Sequence, residues 1–169
     1  MTSQEKEFIS KIEQHKGILF KISKMYMTEK DDRDDLFQEI TYQLWKAFPS
    51  FRGDSEFSTW LYRIALNTAI IFLKSEKRRS FITNEDFSNQ MIVQEDYDYR
   101  KEDRLVEMYK AIHQLNSIDK AFIFYYLEDF SGKQIAEQMG ISEGNARVKM
   151  NRAKTKLKDI LSQIKNNKH

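Results

Sequence analysis

Apolar residues recur along most of this chain at the three-and-four spacing of a helix face, and nowhere do they alternate as in a strand. The first run covers roughly residues 4–27, with Phe8, Ile12, Ile18, Leu19, Ile22 and Met25 in the stripe. Gly17 predicts a break there between two helices. The cluster Asp31-Asp32-Arg33-Asp34-Asp35 then opens a helix, because negative charge suits the positive end of the helix dipole. That helix turns Leu36, Ile40, Leu44, Ala47 and Phe48 inward and stops before Pro49. After a Gly-bearing loop, a further helix is expected from about Ser55 to Arg79. Its inward positions are Phe57, Trp60, Leu61, Ile64, Ala65 and Thr68, and its opposite face carries Thr59, Arg63, Asn67 and Lys74.

Residues 80–100 lose this period and turn acidic. They read as a mobile linker or, alternatively, as a short helix that packs only on a partner. Four helices are expected beyond it. Leu105, Met108, Ile112 and Leu115 form one stripe, and Ala121, Phe122, Phe124, Tyr125 and Leu127 crowd the next helix. Ser131 is placed as an N-cap, with Gln134 completing a capping box. Ile135, Ala136 and Met139 face inward, and Gly140 ends the helix in a left-handed turn. Ser142 caps the last helix, whose inward residues are Ala146, Met150, Ala153, Leu157 and Ile160. A helix, a tight Gly turn and a second helix are the signature of a helix-turn-helix. The expected fold is all-α: two small helical domains, 1–79 and 101–169, joined by a flexible linker at 80–100, the second a helix-turn-helix.

Five Gly and one Pro leave few breakers, which agrees with long helices. Charge adds a direction. Residues 81–104 hold 3 Lys/Arg against 7 Asp/Glu, whereas residues 141–169 hold 8 against 2. A basic end on an otherwise balanced chain is the footprint of a polyanion partner. The bland reading is a solvated helix with a lysine-rich tail. The chain has no cysteine, no apolar signal core at its start and no stretch near ~20 apolar residues, so a cytoplasmic protein without membrane insertion is expected. His15, His113 and His169 are scattered without metal-ligand spacing, and no nucleophile motif occurs. No enzyme activity, metal or cofactor is expected.

Two stretches suit nucleic acid. Opposite the buried stripe of the last helix lie Asn145, Arg147, Val148, Lys149, Asn151 and Arg152. Arg meets guanine or phosphate, Asn meets adenine or phosphate, and an exposed Val fits a thymine methyl. The second stretch is the loop and helix from Phe51 to Asn67. Aromatic rings beside Arg and Asn suit unstacked single-stranded bases. Trp60 falls in the inward stripe and reads as core, so Phe51 is the better candidate for a base contact.

The run Phe51-Arg52-Gly53-Asp54-Ser55-Glu56-Phe57-Ser58-Thr59-Trp60-Leu61-Tyr62-Arg63-Ile64-Ala65-Leu66-Asn67 resembles the promoter-melting segment of RNA polymerase sigma factors, in the extracytoplasmic-function group. Phe130-Ser131-Gly132-Lys133-Gln134-Ile135-Ala136-Glu137-Gln138-Met139-Gly140-Ile141-Ser142-Glu143-Gly144-Asn145-Ala146-Arg147 resembles that family's domain for the distal promoter element. The resemblance covers nearly the whole chain in the right order. It implies a transcription initiation factor whose partners are core RNA polymerase and promoter DNA, with an anti-sigma protein as a further expected partner and a monomer as the free state. It assigns Asp35, Gln38 and Glu39, supported by Leu36, to the clamp helices of the large polymerase subunit. Phe51 and Asn67 would lie at a base flipped from the proximal element, with Arg63, Lys74 and Arg78 on phosphates. Asn145, Arg147, Val148, Asn151 and Arg152 would read the distal element.

There are departures from the family pattern. Ile70 stands between Asn67 and Lys74, where many relatives carry a basic residue. Lys133 replaces a commoner acidic residue, and Asn145-Ala146 replaces Thr-Val. A conventional helix-turn-helix regulator independent of polymerase is the alternative, and it leaves the Phe51–Asn67 stretch without a role. About 20 linker residues reach at most ~66–72 Å and average roughly 25 Å as a coil. Elements about 17 base pairs apart lie ~58 Å from each other, so the linker spans them only when drawn out.

Overall fold

Four of the described helices, those starting at Ser3, Ser117, Gly132 and Glu143, begin behind a side chain that accepts from one of their unbonded amides. A computed structural model describes the backbone of residues 1–83 and 99–167, with side chains from 1 to 79 and from 103 to 167. Helix α1 (Ser3–Tyr26) starts at Thr2, whose hydroxyl accepts from the Glu5 amide at 3.2 Å while the Glu5 carboxylate accepts from the Thr2 amide at 2.7 Å. Helix α2 (Lys30–Ala47) follows, with Asp31 and Asp32 in its first turn. It passes into a 3-10 turn at Phe48–Ser50, where Pro49 stands at a position that needs no amide donor. Helix α3 spans Phe57–Thr83. Then come α4 (Tyr99–His113), α5 (Ser117–Leu127), α6 (Gly132–Met139) and α7 (Glu143–Asn166). Among the described residues there is no strand, and no helix is long and apolar enough to cross a membrane.

Two of the expected boundaries differ. Helix α1 is continuous through Gly17, because a single glycine costs a long capped helix only a fraction of what tertiary packing supplies. Helix α3 runs on to Thr83, since Ser80-Phe81-Ile82-Thr83 contains no Gly or Pro to stop it. The remainder of the expected linker, 84–98, lies outside the described residues.

The chain divides into two compact units, Met1–Ser75 and Glu76–His169. In the first, Leu19 and Ile22 of α1 and Leu36, Ile40 and Leu44 of α2 are sealed from water with Leu61, Ala65, Leu66 and Ala69 of α3. In the second, α5 is buried nearly all round: every residue from Asp119 to Tyr125 is inside. Helices α4, α6 and α7 supply Ile112, Ile135, Ala136, Ala146, Met150 and Ala153 around it.

The inward stripes hold with specific exceptions. Leu105 and Leu127 are about half exposed, and Met139 is only partly covered. Gln138 takes the inward place beside Met139, and the Tyr125 hydroxyl donates to its Oε1 at 3.2 Å.

Candidate nucleic-acid interfaces

The loop after α2 is shaped by ring packing. Phe51 is half-buried, with its ring centroid 5.0 Å from Trp60, 5.6 Å from Phe57 and 6.4 Å from Phe48. Trp60 is itself only partly covered and belongs to this cluster rather than to a sealed core. Gly53 allows the loop its reversal with φ at 77°, a left-handed value. Helix α1 contributes to the same place: Lys11 Nζ lies 5.1 Å above the Phe57 ring, and the His15 ring is 5.2 Å from it. Lys11 and His15 gave no signal in the sequence, because contacts across 40 and more residues have no local period.

Along α3, Arg63, Asn67, Lys74 and Arg78 are all exposed and share one face. Ile70 is not on that face. It is 7% exposed and packs inward with Leu66, Ala69 and Leu73. The apolar residue between Asn67 and Lys74 on the open face is Ile71, 69% exposed. The helix is rotated slightly from the expected setting because its buried side is wide: Tyr62, Leu66 and Ile70 join the stripe set by Leu61, Ala65 and Ala69. Thr59, expected on the open face, is only partly exposed. From Phe57 to Arg79 this helix holds five cations, Arg63, Lys74, Lys77, Arg78 and Arg79, against the single carboxylate of Glu76. That carboxylate is occupied by Arg79 at 3.5 Å.

On α2, Leu36 is fully buried, which fixes the rotation of the helix. Asp35, Gln38 and Tyr42 are therefore turned to solvent on adjacent turns. Glu39 lies beside them, partly covered, and its carboxylate accepts from Gln43 Nε2 at 2.9 Å. Burial and the neighbouring carboxylates Asp35, Glu29 and Asp31 push the Asp32 carboxyl above its usual range.

The helix-turn-helix is built as the caps dictate. Ser131 and Gln134 form the reciprocal box, with the Gln134 carboxamide accepting from the Ser131 amide at 2.8 Å. Gly140 sits at φ 68°, and across it the Ile141 amide donates to the Ala136 carbonyl at 3.0 Å. Ser142 accepts from the Asn145 amide at 3.1 Å and starts α7. With Ala146, Met150 and Ala153 buried, Asn145, Arg147, Val148, Asn151 and Arg152 all project outward, Val148 at 48% exposure.

Lys154 belongs with this surface too. Its ammonium sits 3.9 Å from the centroid of the Tyr126 ring. A cleft of about 220 Å³ opens here, lined among others by Phe130, Ile135, Arg147, Asn151 and Lys154. At the other side of the unit, Asp119 accepts from Lys156 at 2.8 Å and ties the start of α5 to α7.

Comparison with known proteins agrees with both units. The family model described as Sigma-70 region 2 matches residues 12–79, and the one described as Sigma-70, region 4 matches residues 105–157. The ECF RNA polymerase sigma-E factor of Haemophilus influenzae is 32% identical over 150 residues, covering 80% of this chain and 77% of that protein. The protein of the same name from Escherichia coli K12 is 52% identical over 48 residues, 25% of its length. Among solved structures, the sigma factor RpoE of Bartonella quintana, in complex with the anti-sigma factor NepR, matches with a TM-score of 0.71 at 21% identity, over 93% of this chain and 98% of that one. CnrH in complex with the cytosolic domain of CnrY matches with a TM-score of 0.65 at 19% identity, over 94% and 90% of the two chains.

Proposed function

The chain belongs to the extracytoplasmic-function group of RNA polymerase sigma factors, transcription initiation factors, and from that premise we propose a division of labour between its two units. The N-terminal domain, residues 1–79, which takes in the first unit and α3 as far as Arg79, binds core RNA polymerase and holds the melted proximal element. The second, residues 101–169, reads the distal element as duplex. The segment 80–100 joins them through the polymerase.

Within the first unit, Asp35, Gln38 and Glu39 meet the clamp helices of the large subunit, on a face whose angle is set by buried Leu36. A base leaving the stack needs an aromatic platform and a group that reads its edge. Phe51, half-buried against Trp60 and Phe57, supplies the first, and Asn67 the second. Arg63, Lys74 and Arg78 neutralise the phosphates beside it.

Within the second unit, α7 enters the major groove. Arg147 and Arg152 take guanine or phosphate, Asn145 and Asn151 take adenine or phosphate, and Val148 touches a thymine methyl. The solved structure of a sigma factor bound to the anti-sigma factor NepR supports a partner of that kind for this chain. It acts in the cytoplasm, with the polymerase it serves.

The observation that carries this reading is the pairing, in one chain, of an aromatic loop beside a cationic helix face with a capped helix-turn-helix. The test is capture of bacterial core RNA polymerase by the purified chain, beside a Gln38→Ala, Glu39→Ala double variant. Capture that the variant weakens about tenfold or more is expected. A chain that ignores polymerase and binds duplex DNA tightly by itself would overturn it.

A further inference from the structure

The open face of α3 carries one residue that its electrostatics do not explain. Arg63, Asn67, Ile71, Lys74 and Arg78 follow one another at steps of four, four, three and four, all exposed. Four of the five are cations or an amide. The fifth is a branched aliphatic side chain, 69% exposed. Every other aliphatic or aromatic side chain of α3 from Phe57 to Leu73 is buried or partly covered. An isolated surface aliphatic is common and means little. This one is flanked one turn away on each side by Asn67 and Lys74, about 5–6 Å off at that spacing, on a face without a carboxylate. A polyanion is what such a face binds, so whatever meets Ile71 sits within a phosphate-bearing chain. Among base edges only thymine presents an aliphatic group, its 5-methyl. A β-branched side chain on a helix keeps essentially one rotamer, so it meets that methyl as a fixed knob.

Resting on the sigma-factor reading above, we infer that Ile71 is a specificity residue for the proximal element: it selects thymine at the base next to the one that Asn67 addresses. It acts by covering the methyl group while Lys74 holds the adjoining phosphate. The position thereby recognises an apolar group where a basic residue would recognise only charge.

The experiment uses holoenzyme reconstituted from the full chain and bacterial core RNA polymerase. The holoenzyme selects promoters from a pool randomised through the proximal element. Each selected thymine is then replaced by deoxyuridine, which removes the methyl and nothing else. At one position the replacement should weaken binding about fourfold, the worth of one buried methyl group. With Ile71→Asn the two templates should bind alike, and with Ile71→Val the preference should persist. Ile71 is exposed, so neither variant should compromise folding.

If deoxyuridine is tolerated everywhere, or if Ile71→Asn weakens both templates equally, the inference is overturned and the sigma reading stands. Loss of core polymerase by Ile71→Asn would assign the residue to a protein contact and overturn the inference likewise. If the unaltered holoenzyme enriches no sequence at all, the sigma reading itself fails.

Discussion

Lys120 shows what a single residue can hide. It is 2% exposed near the start of α5, and burial lowers its pKa to about 7. Between pH 7 and about 10 the unfolded chain therefore keeps a proton that the folded chain has released. Stability should rise as pH rises through that window and carry the full penalty below pH 7. Lys120→Met should flatten this dependence in denaturant titrations, because it removes the titrating group. Ser23 makes a smaller case: its hydroxyl is buried without a hydrogen-bond partner, so Ser23→Ala should be neutral or stabilising by up to ~1 kcal/mol. Neither environment is legible in the sequence, where Lys120 is one charged residue in an apolar run and Ser23 one polar residue at the edge of a stripe. Burial of a polar group depends on which other helix covers it, and no local period encodes that.

At the scale of the element, most of the molecule was legible. Caps and stops are local chemistry, and Ser131 with Gln134, Gly140 and Ser142 all take the geometry their spacing predicts. Gly140→Ala should cost about 1–2 kcal/mol, because alanine must adopt the left-handed turn. Gly17 is the instructive failure. A glycine is as common a punctuation mark as the chain offers, yet here it lies inside a continuous helix with open space where a Cβ would stand. Gly17→Ala should raise thermal stability by about 0.5–1 kcal/mol. The rotation of α3 likewise differs by one residue from the expected setting, with Ile71 and not Ile70 on the open face. A buried stripe as wide as this one gives the sequence two nearly equal choices of axis, and only packing against α1 and α2 decides. The contacts of Lys11 with Phe57 and of Lys154 with Tyr126 join distant segments, so no pattern within one helix announces them.

For the whole molecule, the charge imbalance becomes function only through the fold. The basic excess of residues 141–169 is spread along the sequence, but with Ala146, Met150 and Ala153 buried α7 presents Arg147 and Arg152 on its open side. Arg147→Ala or Arg152→Ala should each lower the salt dependence of distal-element binding by about one counterion, measured as the slope of log affinity against log salt. An unchanged slope would remove that residue from the phosphate contacts. The aromatic loop adds something practical. Trp45 and Trp60 are the chain's two tryptophans, and both lie in the ring cluster around Phe8, Phe48 and Phe51. The helix-turn-helix unit contains none. Emission excited selectively at tryptophan therefore originates in the first unit. Trp60 lies 5.0 Å from the Phe51 ring, so the base contact proposed for Phe51 would change its surroundings and be readable in the protein's own emission without an added label.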